Sequence, residues 1–123
     1  YKFKNIQRTI NLKEEGFLLA LNIDELQKIC IPDNIVITIH AAKRLEQRGI
    51  RLKEIFDCIF NGEIIEQYPD DYPYPSCLIF GNQNAEKPLH TVVATNGERL
   101  WIVTAYYPSH DKWMDDLKTR KEE

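Results

Sequence analysis

A histidine and two arginines recur at four-residue intervals in Thr38-Ile-His-Ala-Ala-Lys-Arg-Leu-Glu-Gln-Arg-Gly49, at positions His40, Arg44 and Arg48. In a helix that spacing sets successive members about 40° apart along one flank. Imidazole exchanges protons near neutral pH, and guanidinium grips two phosphate oxygens at once, which an ammonium group does not. Together they suit metal-free cleavage of a ribose phosphodiester. Such a site abstracts the 2′-hydroxyl proton, neutralises the transition-state charge and protonates the leaving oxygen. His40 is the candidate acid or base, Arg44 and Arg48 the phosphate clamp, and Lys43 a further substrate-binding cation. The same residues also fit a solvated helix face, with the arginines paired to Glu46, Glu54 or the acidic loop that follows Pro69.

The helix that carries them is marked at both ends. Thr38 is a good N-cap, and Gly49 suits the left-handed residue that closes a helix. Ala41, Ala42 and Leu45 form its apolar side, so the basic row borders the buried face, where a helix edge lines a cleft. Leu52, Ile55, Phe56, Ile59 and Phe60 predict a second helix, stopped at Asn61-Gly62. An earlier short helix through Glu25, Leu26 and Ile29 is capped by Asn22 or Asp24 and stopped by Pro32. The run Gly16 to Leu21 fits strand or helix equally.

From Glu63 the period changes to two, which predicts strands over 63–68, 76–81, 88–95 and 99–107. The link from Pro69 to Pro75 holds three prolines and is irregular. Asn82 to Lys87 and Asn96-Gly97 are short enough to close hairpins, giving an antiparallel meander. The last strand is expected to be central. Strict alternation puts Leu100, Ile102, Thr104 and Tyr106 on one face and Trp101, Val103, Ala105 and Tyr107 on the other. Pro108-Ser109 then caps a closing helix through Trp113 and Leu117, and Lys118 to Glu123 reads as a charged, frayed tail. The expected fold is α+β: N-terminal helices packed on a four-stranded antiparallel sheet with a closing C-terminal helix. Residues 1–35 are an extension with a short helix, residues 36–120 a single domain, and residues 121–123 a tail.

Thr104 and Tyr106 can orient a phosphate or a base, though threonine is a common strand former and tyrosine often packs its ring with the hydroxyl at a rim. Tyr72 and Tyr74 can stack splayed bases together with Trp101, or pin down their loop. His90 reaches the same cleft if it faces the side bearing Thr104, and His110 is expected to be exposed. Net charge is -3 over 123 residues, yet residues 40–53 carry +4, which leaves -7 to the remainder. That patch can hold a few phosphates inside a chain otherwise unsuited to long polyanions. Cys30, Cys58 and Cys77 lack metal-ligand spacing and read as buried thiols. No metal or cofactor signature is found. No apolar run approaches the roughly 20 residues of a membrane span, and no leader pattern opens the chain, so a cytoplasmic location without membrane contact is expected.

The ordered segments ITIHAAKRLEQRGI, NGEIIEQYPDD, YPSCLIFG, PLHTVV and WIVTAYYP resemble domain-of-unknown-function family 4258 over about residues 36 to 120. The resemblance implies a place among the small nucleases that share the fold of barnase, EndoU, certain colicins and RelE. Many of these are metal-independent RNA-cleaving toxins encoded beside an antitoxin. On this resemblance His40, Arg44 and Arg48 match a His-x-x-x-Arg-x-x-x-Arg element, and Thr104 and Tyr106 match a Thr-Ala-Tyr element. The expected activity is therefore RNA cleavage, with RNA and an antitoxin protein as partners. A non-catalytic module that binds RNA or protein through the same stripe is the alternative. A third possibility is a structural subunit, which burial of both arginine heads in salt bridges would favour.

Overall fold

The computed structural model describes residues 20–81 and 87–122. Residues 16–19 of the early apolar run and residues 82–86 of the second hairpin loop lie outside them.

Helix α1 (Ile23–Ile29) starts at Asn22, whose side-chain oxygen accepts from Asp24 N at 2.8 Å and Glu25 N at 3.2 Å. Pro32–Asn34 forms a tight turn, and Ile35–Val36 a two-residue strand, β1. Helix α2 (Ile39–Gln47) carries the basic row. Thr38 Oγ1 caps it by accepting from Ala41 N at 3.1 Å. At its other end Gly49 takes φ +68°, Gly49 N bonds Glu46 O at 3.1 Å and Ile50 N bonds Leu45 O at 3.0 Å. That paired closure satisfies carbonyls the last turn would leave open, and it drops Ile50 and Leu45 together into the core. Helix α3 (Leu52–Asn61) opens with Glu54 Oε1 accepting from Arg51 N at 2.8 Å and buries Ile55, Cys58 and Ile59. Gly62 ends it because any Cβ there would lie 2.3 Å from Cys58 O and 2.6 Å from Phe80 O.

Strands β2 (Glu63–Tyr68), β3 (Ser76–Gly81), β4 (Leu89–Thr95) and β5 (Leu100–Tyr106) pair antiparallel in sequence order. The sheet nevertheless has five strands and is mixed, because β1 joins parallel to β5 through Ile35–Leu100 and Val36–Trp101, giving the order β1-β5-β4-β3-β2. The four-stranded, purely antiparallel expectation is corrected accordingly. Strand β5 lies inside the sheet between β1 and β4, and among the described residues β1 flanks it only across Leu100 and Trp101, so its second half is an edge there.

The core lies between the helices and one face of the sheet, where Cys77, Ile79, Leu89, Val93, Leu100, Ile102 and Ala105 meet Leu26, Leu45, Ile55 and Ile59. All three cysteines are free and buried, and burial pushes the Cys58 thiol up to about 11 and Cys77 up to about 12. A bulge in β5 changes the expected faces. Val92 pairs with Thr104 while its neighbour Val93 pairs with Ile102, so Val103 is an extra residue. Leu100 and Ile102 therefore share the helix face with Ala105 and Tyr107, and Thr104 and Tyr106 fall on the opposite face with Trp101.

The part of that opposite face around His90 and Phe80 is covered by a strap, where a closing helix was expected. Trp113 and Arg120 form an antiparallel bridge, Met114 N bonds Thr119 O at 2.8 Å, and Lys121 N bonds Lys112 O at 3.0 Å. The Asp116 carboxylate turns the chain by accepting from Lys118 N and Thr119 N, a local bond that competes with helix. Residues 118–120 are not a frayed tail, since Lys118 Nζ meets Glu63 at 2.8 Å and Arg120 Nε meets Glu66 at 2.8 Å.

Candidate functional site

The position of the basic row follows from helix geometry. Ala41 and Leu45 point into the core, and with 100° per residue Arg48 lies about 40° from the centre of that buried stripe, Arg44 about 80° and His40 about 120°. The row therefore climbs from the sheet edge to open solvent. Arg48 is the member nearest the sheet. Its Nη1 donates to Thr104 Oγ1 at 3.0 Å and to Ala105 O at 2.8 Å. It thereby satisfies a carbonyl that points out of the open half of β5 and ties α2 to the Thr-Ala-Tyr segment.

His40, Lys43 and Arg44 are exposed, and among the described residues their side chains have no hydrogen-bond or ion-pair partner. Arg48 pairs with no carboxylate among those residues either. Two of the acids that offered internal pairing are engaged elsewhere: Glu54 accepts from Arg51 N and from Tyr107 Oη, the latter at 3.1 Å, and Asp71 of the loop accepts from Ser76 Oγ. The row does not line the groove of about 390 Å³ between α2 and α3, which is formed by the other flank of α2 through Ala42, Leu45 and Glu46.

Thr104 and Tyr106 share a face, as alternation from 104 onward requires, and His90 lies opposite Tyr106 on β4. His90 is fully buried. Its Nε2 lies 2.7 Å from Leu117 O and its Nδ1 3.3 Å from Tyr106 Oη. A carbonyl only accepts, so Nε2 carries the hydrogen. Burial lowers the pKa of His90, partly opposed by the Leu117 bond and by the Glu66 charge, so Nδ1 is unprotonated and accepts from Tyr106. Burial raises the Tyr106 pKa, which keeps the phenol neutral. Trp113 closes the pocket with its ring edge-on to His90, centroids 4.5 Å apart. His90 thus faces the side bearing Thr104 yet has no surface to offer a substrate; it fixes the Tyr106 hydroxyl. Tyr74 stacks on Trp101 with centroids 4.8 Å apart, and His110 is exposed beside Asp115.

One charged group on this face was not singled out from sequence. Glu66 accepts from Arg120 Nε and Nη2 and from Tyr68 Oη. Burial pushes its carboxyl up, and the bonds from Arg120 and Tyr68 together outweigh that and hold it below the usual range. Arg120 also lies over Trp113 at 4.7 Å. Glu66 therefore anchors the strap. No sequence signal joins residues 54 positions apart.

The family model described as "Domain of unknown function (DUF4258)" matches residues 37–107, more than half of the chain. The chain belongs to that family. The DUF4258 match starts beside the Thr38 cap and ends after β5, so it contains His40, Lys43, Arg44, Arg48, Tyr74, His90, Thr104 and Tyr106. It leaves out α1, β1 and the strap. No curated protein and no solved structure matches the chain. No helix among the described residues is long and apolar enough to cross a membrane.

Proposed function

We propose that this DUF4258 domain is a metal-independent endoribonuclease working as the toxin of a toxin–antitoxin pair, with a fold akin to RelE and barnase. The observation that carries the reading is the exposed, unpaired state of His40, Lys43 and Arg44 on the helix whose Arg48 is braced at Thr104. Buried arginine salt bridges, which would favour a purely structural stripe, are not formed by Arg44 or Arg48 among the described residues. Arg44 lies about 6 Å along the helix axis from both His40 and Arg48, so a phosphate at Arg44 is within reach of all three side chains. His40 takes the 2′-hydroxyl proton, the 2′ oxygen attacks phosphorus, and the bond to the 5′ oxygen breaks. The products are a 2′,3′-cyclic phosphate and a 5′-hydroxyl. The leaving oxygen takes its proton from solvent, since His90 is buried and Tyr106 directs its own proton to His90. Arg44 and Arg48 neutralise the charge that builds on the phosphorane.

One observation favours a second reading, a module that binds RNA or an acidic protein without turnover: His40 is the single histidine on the row, and two-sided proton transfer commonly employs two groups. Incubation of mixed RNA with the protein in EDTA separates the readings. Cleavage by wild type, with losses of about 10²-fold or more in His40→Ala and Arg44→Ala, supports the nuclease. Binding of RNA without cleavage supports the module.

A further inference from the structure

The opposite face of the sheet carries aromatic surface that the cleavage chemistry does not use. Trp101 lies on that face three positions before Thr104, half-buried, with Tyr74 stacked on its ring at a 4.8 Å centroid separation and 32° between planes. Tyr74 braces the indole from the proline-bound loop. The register partner of Trp101 on β4 is Ala94, whose small side chain leaves no bulky neighbour on that side. Tyr72, two residues before the brace, is 94% exposed. A tyrosine ring held almost wholly in water leaves its face open to a planar partner.

We infer that Trp101 and Tyr72, braced by Tyr74, form a base-stacking platform that restricts the ligand to single-stranded RNA. The inference rests on the reading that the α2 row meets phosphate. From Trp101 to Thr104 the strand spans about 10 Å at most, the length of about three stacked nucleotides. A chain whose phosphate sits at Arg44 and Arg48 thus lays neighbouring bases over the indole and the Tyr72 ring. Bases inside a duplex have both faces occupied and cannot stack there, whereas unpaired bases can, with little preference among the four.

The test uses an uncleavable 2′-O-methyl oligonucleotide of about eight residues, either single-stranded or paired within the stem of a blunt hairpin closed by a non-nucleotide linker, titrated against tryptophan fluorescence. Trp113 is 2% exposed beneath Arg120, so a change in emission reports Trp101. The expected result is a saturable change with the single strand, weaker binding of the hairpin, and affinity losses of about fivefold or more in Trp101→Leu and Tyr72→Ala. Tyr72 is too exposed for its loss to unfold the chain, so that variant tests the platform even if Trp101→Leu is unstable. Equal affinity for hairpin and single strand, or wild-type affinity in Tyr72→Ala and folded Trp101→Leu, overturns the platform and leaves cleavage as a separate question. Loss of affinity in those variants, together with unmodified RNA left intact by the wild-type protein in EDTA, upholds the platform and removes the nuclease reading.

Discussion

Arg48 has two duties that substitution separates. Its Nη1 makes two hydrogen bonds, to Thr104 Oγ1 at 3.0 Å and Ala105 O at 2.8 Å, and it does so from an exposed stem. Arg48→Ala removes both. A charged donor on a fully buried acceptor is worth about 1.5–3 kcal/mol, but solvent reaches this edge and rescues part of the loss, leaving about 1–2 kcal/mol. At 4–8 °C per kcal/mol for a domain of about 100 residues, the melting temperature falls by roughly 5–15 °C. Arg48→Lys keeps the charge and one donor, so it regains about half of that stability while losing the two-point grip on phosphate. Thermal denaturation and RNA cleavage measured on both variants give the comparison. The expected pattern is partial stability with strongly reduced cleavage for the lysine variant. A melting temperature unchanged within 1–2 °C in Arg48→Ala refutes the brace, whatever the activity.

Further outcomes follow from the buried face and the close backbone contacts. His90 is neutral in the fold, and its pKa is held below the usual 6.5 by burial, so the unfolded chain binds the proton first. Its contribution is full above pH 6.5 and is lost as pH falls through the lowered folded value, at up to about 1.4 kcal/mol per pH unit. Melting curves from pH 8 to 5 show this decline in wild type and a shallower one in His90→Gln; equal slopes contradict it. Glu66 has the same sign at lower pH, since its stabilisation is lost only below the usual carboxylate range. Gly62→Ala forces a Cβ against two backbone carbonyls, at 2.3 and 2.6 Å, and is expected to cost about 2–3 kcal/mol in urea unfolding. Gly49→Ala meets nothing within 4 Å and is strained only by φ +68°, so about 1 kcal/mol is expected, and a larger cost than Gly62→Ala contradicts the packing account.

Features set by neighbours in sequence were legible before the fold was known. Thr38 and Gly49 bound α2 because capping bonds reach only a few residues, and the apolar period of Leu52 to Phe60 marks α3 because one stripe faces one core. What stayed hidden depends on distant partners. Strand β1 is two residues long and gains its bonds from β5, more than sixty positions away. The bulge at Val103 moves Thr104 and Tyr106 to the face opposite Ile102, and no alternation rule anticipates the extra residue. Trp113 and Leu117 have helical spacing, yet Asp116 turns the chain by binding Lys118 N and Thr119 N, and the strap is secured by Glu66 from β2. The row His40, Arg44 and Arg48 was legible as a row; that Arg48 holds Ala105 O became visible only with the sheet edge in place.

The central claim is that the α2 row acts on a ribose phosphodiester, and a chimeric oligodeoxynucleotide holding one internal ribonucleotide tests it most directly. Incubated with wild-type protein in EDTA, the chimera is predicted to break on the 3′ side of that ribonucleotide, leaving a 2′,3′-cyclic phosphate and a 5′-hydroxyl. Arg44→Ala slows the break by about 10²-fold or more, and the all-deoxy strand stays whole. An intact chimera, or equal cutting by wild type and Arg44→Ala, contradicts the account.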